Sequence, residues 1–162
     1  MADAPPGAEL TSPLTMRGII GVLGALVLYL VVSEVLETVL VRATAETPLG
    51  DVTTYFAARN RPGVLGAKVA YNSLIALWSG YMAAKVAGER EMYYGAFAAF
   101  VATARLASVF LMGDYAAFTP AWMRAFLVLS TGPFMLAGAL IRGRARVVQE
   151  ASDAAARSQE PA

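Results

Sequence analysis

Five polar side chains stand where an apolar sequence should have none: Glu34, Glu37, Lys68, Asn72 and Arg105. Each lies inside a stretch long enough to cross a bilayer. An ionised group there is costly unless it is paired or lines a polar cavity. Carboxylate, ammonium, guanidinium and amide groups have two uses in such a place. They form ion pairs that fix the register of neighbouring helices, or they bind a solute or pass a proton through a hydrated cavity.

Depth follows from the rise of a helix. Glu37 and Lys68 fall about 7 and 6 Å inside the same membrane face, and Glu34, Asn72 and Arg105 about 12, 12 and 11 Å inside it. Two matching levels predict two interhelical pairs, Glu37 with Lys68 near the surface and Glu34 with Arg105 deeper, bridged by Asn72. A bidentate bond between arginine and carboxylate suits the drier level. Two acids against two bases cancel locally. That favours a register-fixing role, because a transport site tends to keep one charge free for its substrate.

The 162 residues include neither cysteine nor histidine. Disulfides, thiolate metal sites, cysteine nucleophiles and Ser-His-Asp triads are thereby excluded, as is histidine-ligated haem. The expectation is no catalytic residue, no cofactor and no metal. A formal net charge of +1, with no basic block interleaved with aromatics, gives no case for nucleic acid.

The elements that must position the five side chains follow from composition. The chain is 57% hydrophobic and 15% charged, against about 45–50% and about 25% in soluble domains. Four apolar stretches, near 18–41, 64–87, 92–112 and 120–141, predict an all-α membrane protein, a four-transmembrane-helix bundle. In the second, Lys68, Asn72, Ala76, Gly80 and Ala84 recur every four residues. They form one helix face, polar at one end and small at the other, suited to meeting other helices. This helix is expected at the centre, with Trp78 as packing. Gly18, Gly21, Gly24 and Ala25 give the first stretch a small surface, and alanines thin the third. The fourth opens with Thr119 as N-cap and Pro120 in the first turn. Gly132-Pro133 predicts a kink, with Ser130 or Thr131 filling the gap in the hydrogen-bond ladder.

The first connection, 42–62, carries turn signals at Thr47-Pro48, Gly50-Asp51 and Arg61-Pro62-Gly63. Asp51 is placed to cap one or two helical turns ending near Arg59, lying on the bundle with Tyr55 and Phe56 at the membrane interface. Tyr93, Tyr94, Tyr115, Phe118 and Trp122 are expected interface anchors. Residues 1–15 lack the basic n-region and apolar core of a secretory signal and read as a disordered tail, and 147–162 as a polar, mobile one. Arg17 is expected to snorkel. Arg142, Arg144 and Arg146 read as lipid-facing anchors with anionic lipid as partner. Basic residues near span ends favour the side holding both termini, which predicts cytoplasmic termini.

KVAYNSLIALWSGYMAAKVAGER, then PAW and the ending GPFMLAGALIRGRAR, resemble the pattern of small four-helix bacterial inner-membrane proteins from Ala67 onward. The resemblance implies a fold and a membrane location, and it transfers no activity or functional residue. The functional expectation is a non-catalytic accessory or structural subunit of a larger membrane assembly. Its partners are then membrane lipids and other membrane subunits or further copies of itself. The alternative is a small-solute or proton transporter that acts as an oligomer through the intramembrane charges.

Overall fold

The computed structural model describes residues 15–45, 51–88, 90–113 and 117–158. Among them the chain is all-helical: α1 Met16–Thr44, α2 Val52–Arg59, α3 Pro62–Ala87, α4 Glu91–Met112 and α5 Ala121–Ser158. Three of these, α1, α4 and α5, are long and apolar enough to cross a membrane. α3 is not among them, although its 26 residues extend about 39 Å. Its lysines and asparagine lower its hydropathy, and two of these residues face protein rather than the exterior.

The four long helices run antiparallel in turn, and side-chain to backbone bonds tie each end. At one end Arg17 Nε donates to the carbonyl of Val86 at 2.7 Å, and Thr15 N donates to the Tyr94 hydroxyl at 2.6 Å. At the other, Arg61 Nη1 donates to the Thr44 carbonyl at 3.0 Å and Asn60 Nδ2 to the Phe118 carbonyl at 2.8 Å. α3 touches α1, α4 and α5, the central place its sequence predicts. Lys68, Asn72, Ala76, Gly80 and Ala84 are all buried. The seam between α3 and α5 is a reciprocal close approach. A Cβ on Gly80 would overlap the Met135 carbonyl oxygen, and one on Gly138 the Leu77 carbonyl oxygen. Without a large hydrophobic drive between helices in lipid, such backbone proximity supplies the packing.

Several local expectations differ. Gly21 does meet α3 through the Ala83 carbonyl, but Gly24 faces open space. Trp78 is 59% exposed on the outer surface rather than packed inside. An i+4 stripe buries one face, and Trp78, two residues from both Ala76 and Gly80, falls on the opposite side of the helix. Tyr94 is no interface anchor: it is 1% exposed, beneath Gly18, where only a glycine leaves room for the ring. Arg17 does not snorkel freely but caps the C-terminus of α3. α5 continues unbroken through Pro133 for 38 residues, so the segment 147–158, expected as a mobile tail, is helical. Thr131 does not fill the gap left by the proline. Its hydroxyl is 2.7 Å from the Leu127 carbonyl, its own preceding turn. The expected features at residues 1–14, Thr47-Pro48, Gly50, Tyr115 and 159–162 lie outside the described residues.

α2 closes one end of the bundle. Ala58 packs with Val41 and Val64, and Phe56 stacks on Phe118 with centroids 4.6 Å apart. Asp51 starts α2 as its sequence predicts, Oδ1 accepting from the Thr54 amide at 2.7 Å. That bond holds the carboxyl below its ordinary value. A depressed folded-state value means that the cap contributes above the unfolded carboxyl pKa, about 4, and is lost as pH falls through the folded one. Amide exchange at Thr54 should therefore accelerate on acidification below about pH 4. Asp51→Asn should retain the cap and abolish that acid response. An unchanged acid response in the variant would place its origin elsewhere.

Candidate functional site

The end of the bundle that α2 closes contains a cavity of about 380 Å³. All five long and short helices contribute to its wall, which explains its composition: α1 presents Glu34 and Glu37, α2 Arg59, α3 Lys68 and Asn72, and α4 Arg105. The apolar part comes largely from α4 and α5, through Leu106, Val109, Phe110 and Leu127. All five polar residues expected from the sequence thus line one space.

Their pairing is only partly the expected one. Glu37, 7% exposed, ion-pairs with Lys68 through Oε2. Its other oxygen is 2.5 Å from Arg59 Nε, and Arg59 Nη1 donates to the Thr119 hydroxyl at 3.0 Å. One carboxylate therefore serves two cations, drawn from a long helix on one side and from the short α2 on the other. The guanidinium also lies 5.3 Å from the centroid of the Phe56 ring, where the ring face favours a cation.

Glu34 and Arg105 do not form the deeper pair. Both are exposed, and among the described residues neither has an ion-pair partner within 4.0 Å. Depth along each helix matched, but rotation about each axis turns both side chains to the rim rather than toward each other. Asn72 does not bridge them. Its Nδ2 donates to the Lys68 carbonyl one turn back at 2.9 Å, and its Oδ1 accepts from the Tyr29 hydroxyl at 3.4 Å. Tyr29 also meets the Thr131 hydroxyl at 3.2 Å, joining α1 to α5 across the buried centre. Interhelical bonds of this kind contribute about 0.5–2 kcal/mol each in membranes.

Sequence reasoning missed Arg59 and Tyr29. Arg59 falls in a connection where an arginine is ordinarily solvated, and Tyr29 reads as one more apolar residue of a long span. The signal for Arg59 was available: Asp51 fixes the start of α2, so that its last residue returns to the bundle. The missed consequence is charge. Three cations, Arg59, Lys68 and Arg105, face two carboxylates, Glu34 and Glu37, so among the described residues the wall carries one formal positive charge in excess where the expected set cancelled.

A second polar cluster ties the opposite end. Glu91, 6% exposed, lies 3.4 Å from Arg142 Nε and 3.8 Å from Arg146 Nη1. Arg146 also donates to the Gly88 carbonyl at 2.9 Å and pairs with Glu150 at 3.0 Å. Of the three arginines expected as lipid anchors, Arg142 and Arg146 thus reach the Glu91 carboxylate, Arg146 with its side chain 41% exposed, while Arg144 is exposed. No group of three His, Cys, Asp or Glu side chains suited to a metal ion occurs among the described residues.

The chain matches no known protein family, no curated protein and no solved structure.

Proposed function

We propose that this chain is a four-span protein of a bacterial inner membrane, with both termini cytoplasmic. It binds a small polar solute in the cavity beneath α2, as part of a transport process carried out by copies of itself. α3 serves as the fourth span in this reading: its polar face is sheltered by α1, α4 and α5, and a sheltered face need not be apolar. The start of α1 and the last turns of α5 lie toward the end opposite α2, and the arginines concentrated after Ile141 favour the cytoplasm for that end.

The observation that carries the reading is the wall of the cavity. Its volume, about 380 Å³, falls within the range of small-molecule sites. Two of its charged groups, Glu34 and Arg105, are left without an ion-pair partner within the described residues. Purely structural charges would be expected to neutralise each other. The expectation that these charges only fix helix register rested on such neutralisation, which the third cation upsets.

The absence of native cysteine gives a direct test. Leu30 lines the cavity, whereas its neighbour Val31 is 54% exposed on the outer face of α1. The two differ in depth by only about 1.5 Å. In intact cells a water-soluble, membrane-impermeant thiol reagent should label Leu30→Cys from outside and leave Val31→Cys untouched. Equal inertness of the two would mean a dry cavity and would return the chain to the role of packing subunit. Labelling of Leu30→Cys only from the cytoplasmic side would reverse the orientation.

A further inference from the structure

The electrostatics of the cavity specify a class of solute. Glu37 is held between Arg59 and Lys68, so this trio is committed to itself and leaves one net positive charge at the inner wall. Glu34 and Arg105, at the rim, have no ion-pair partner within 4.0 Å among the described residues, so Arg105 is the cation of the wall that no carboxylate already holds. The excess of one cation must be met by an anion, because uncompensated charge away from bulk water is costly. A dianion would replace the excess of one sign by an excess of the other.

The rest of the wall narrows the class. Leu106, Val109, Phe110 and Leu127 give the wall an apolar side as well as its charged groups. A hydrated inorganic ion makes no use of that side. A molecule with a charged end and an apolar body fills both. Arg105 is the cation best placed to receive the charged end, since the guanidinium presents a fork of N–H donors and has no ion-pair partner within 4.0 Å among the described residues.

We infer that the cavity takes a water-soluble organic monocarboxylate, its carboxylate on the Arg105 guanidinium and its apolar body against Leu106, Val109, Phe110 and Leu127. This rests on the cavity being a solute site, as proposed above. Glu34 acts against the same anion from the rim and sets how tightly it is held. The two rim charges therefore have opposite effects on one ligand, which a structural role would not produce.

The test uses the full chain in lipid nanodiscs and three probes of similar shape: benzoate, benzyl alcohol and benzylamine. Benzoate should bind by calorimetry, and the other two should not compete with it. Arg105→Gln should weaken benzoate about tenfold or more, as expected for loss of a charged hydrogen bond, with Arg105→Lys between the two. Glu34→Gln should tighten it. Neither side chain is buried or ion-paired, so both variants should fold, and unchanged melting temperatures would show it. Inorganic phosphate should not displace benzoate.

Several outcomes overturn the inference. Benzylamine binding that is lost in Glu34→Gln would make the solute a cation and leave the solute-site reading standing. Displacement by phosphate would replace the monocarboxylate with an inorganic anion. Equal affinity of benzoate for wild type and Arg105→Gln would remove Arg105 from the site. No binding by any probe, with Leu30→Cys unreactive, would remove both the inference and the reading beneath it.

Discussion

Glu37→Gln should destabilise the bundle more than any other single change of charge, whereas Glu34→Gln, three residues away, should barely affect it. Glu37 is the counter-charge to Lys68 and Arg59. Their side chains are only 8% and 12% exposed. Neutralising the carboxylate leaves two like charges facing each other with little water to screen them. Removing one partner of a buried pair costs about 3–5 kcal/mol in soluble proteins, and the loss of two interactions at once favours the upper part of that range. Interactions within membranes are often weaker, because the separated helices find other partners. Glu34 is exposed and, among the described residues, without an ion-pair partner, so its amide should change stability by about 0.5 kcal/mol or less.

Thermal unfolding in detergent would measure both. The compensating variant is informative: Glu37→Gln together with Lys68→Met removes one stranded cation, and the new amide oxygen can still accept from Arg59. It should recover a substantial part of the loss, since replacing a buried ion pair by apolar groups is often nearly neutral. A Glu37→Gln protein as stable as wild type would show that water or lipid headgroups screen the trio. The same result would undermine the charge excess on which the choice of solute depends.

The second large effect lies on the seam of α3 and α5. Gly80→Ala adds a single methyl group, but that carbon overlaps the Met135 carbonyl, which is backbone and cannot rotate aside. The helices must separate. Overpacking costs about 1–3 kcal/mol in well-packed interiors, and separation here also loosens the reciprocal contact at Gly138 with Leu77. Gly138→Ala should do the same from the other helix. Once one substitution has opened the seam, the second meets less resistance, so the double variant should lose less than the two single losses added together. Gly24→Ala, with open space around it, is the control. It should be neutral or stabilise by up to about 1 kcal/mol through helix propensity. Strict additivity of the Gly80 and Gly138 variants would show that they act at independent places.

Much of this fold is written locally. Four apolar stretches define the long helices because a run of apolar residues at helical length has one low-energy solution in lipid. The buried face of α3 is legible because four-residue spacing places side chains on one side whatever they touch. Asp51 is legible as a cap because the bond it makes closes within three residues. The end of α5 was less so: a polar segment following a span has no strong local reason to be helical or not, and here the helix propagates from the span behind it to Ser158.

The site divides in the same way. That Glu37 and Lys68 share one level, and Glu34, Asn72 and Arg105 a deeper one, follows from the sequence, because depth is the number of residues from the helix end multiplied by a fixed rise. Which of them meet does not. Contact depends on the rotation of each helix about its axis and on who stands between, and both are set by packing along the whole bundle, the close seam of α3 and α5 at Gly80 and Gly138 included. The short α2 brings Arg59 to Glu37 by docking Ala58 on Val41 and Val64, a contact spanning separate parts of the chain with no local signature. Glu91 likewise reads as one acid in a tight turn, and only the return of α5 shows that it holds Arg142 and Arg146. The sequence alone determined that charges lie within the bundle and at what depth. The tertiary structure decided that they do not cancel, because the third cation arrives from an element whose place depends on all the others.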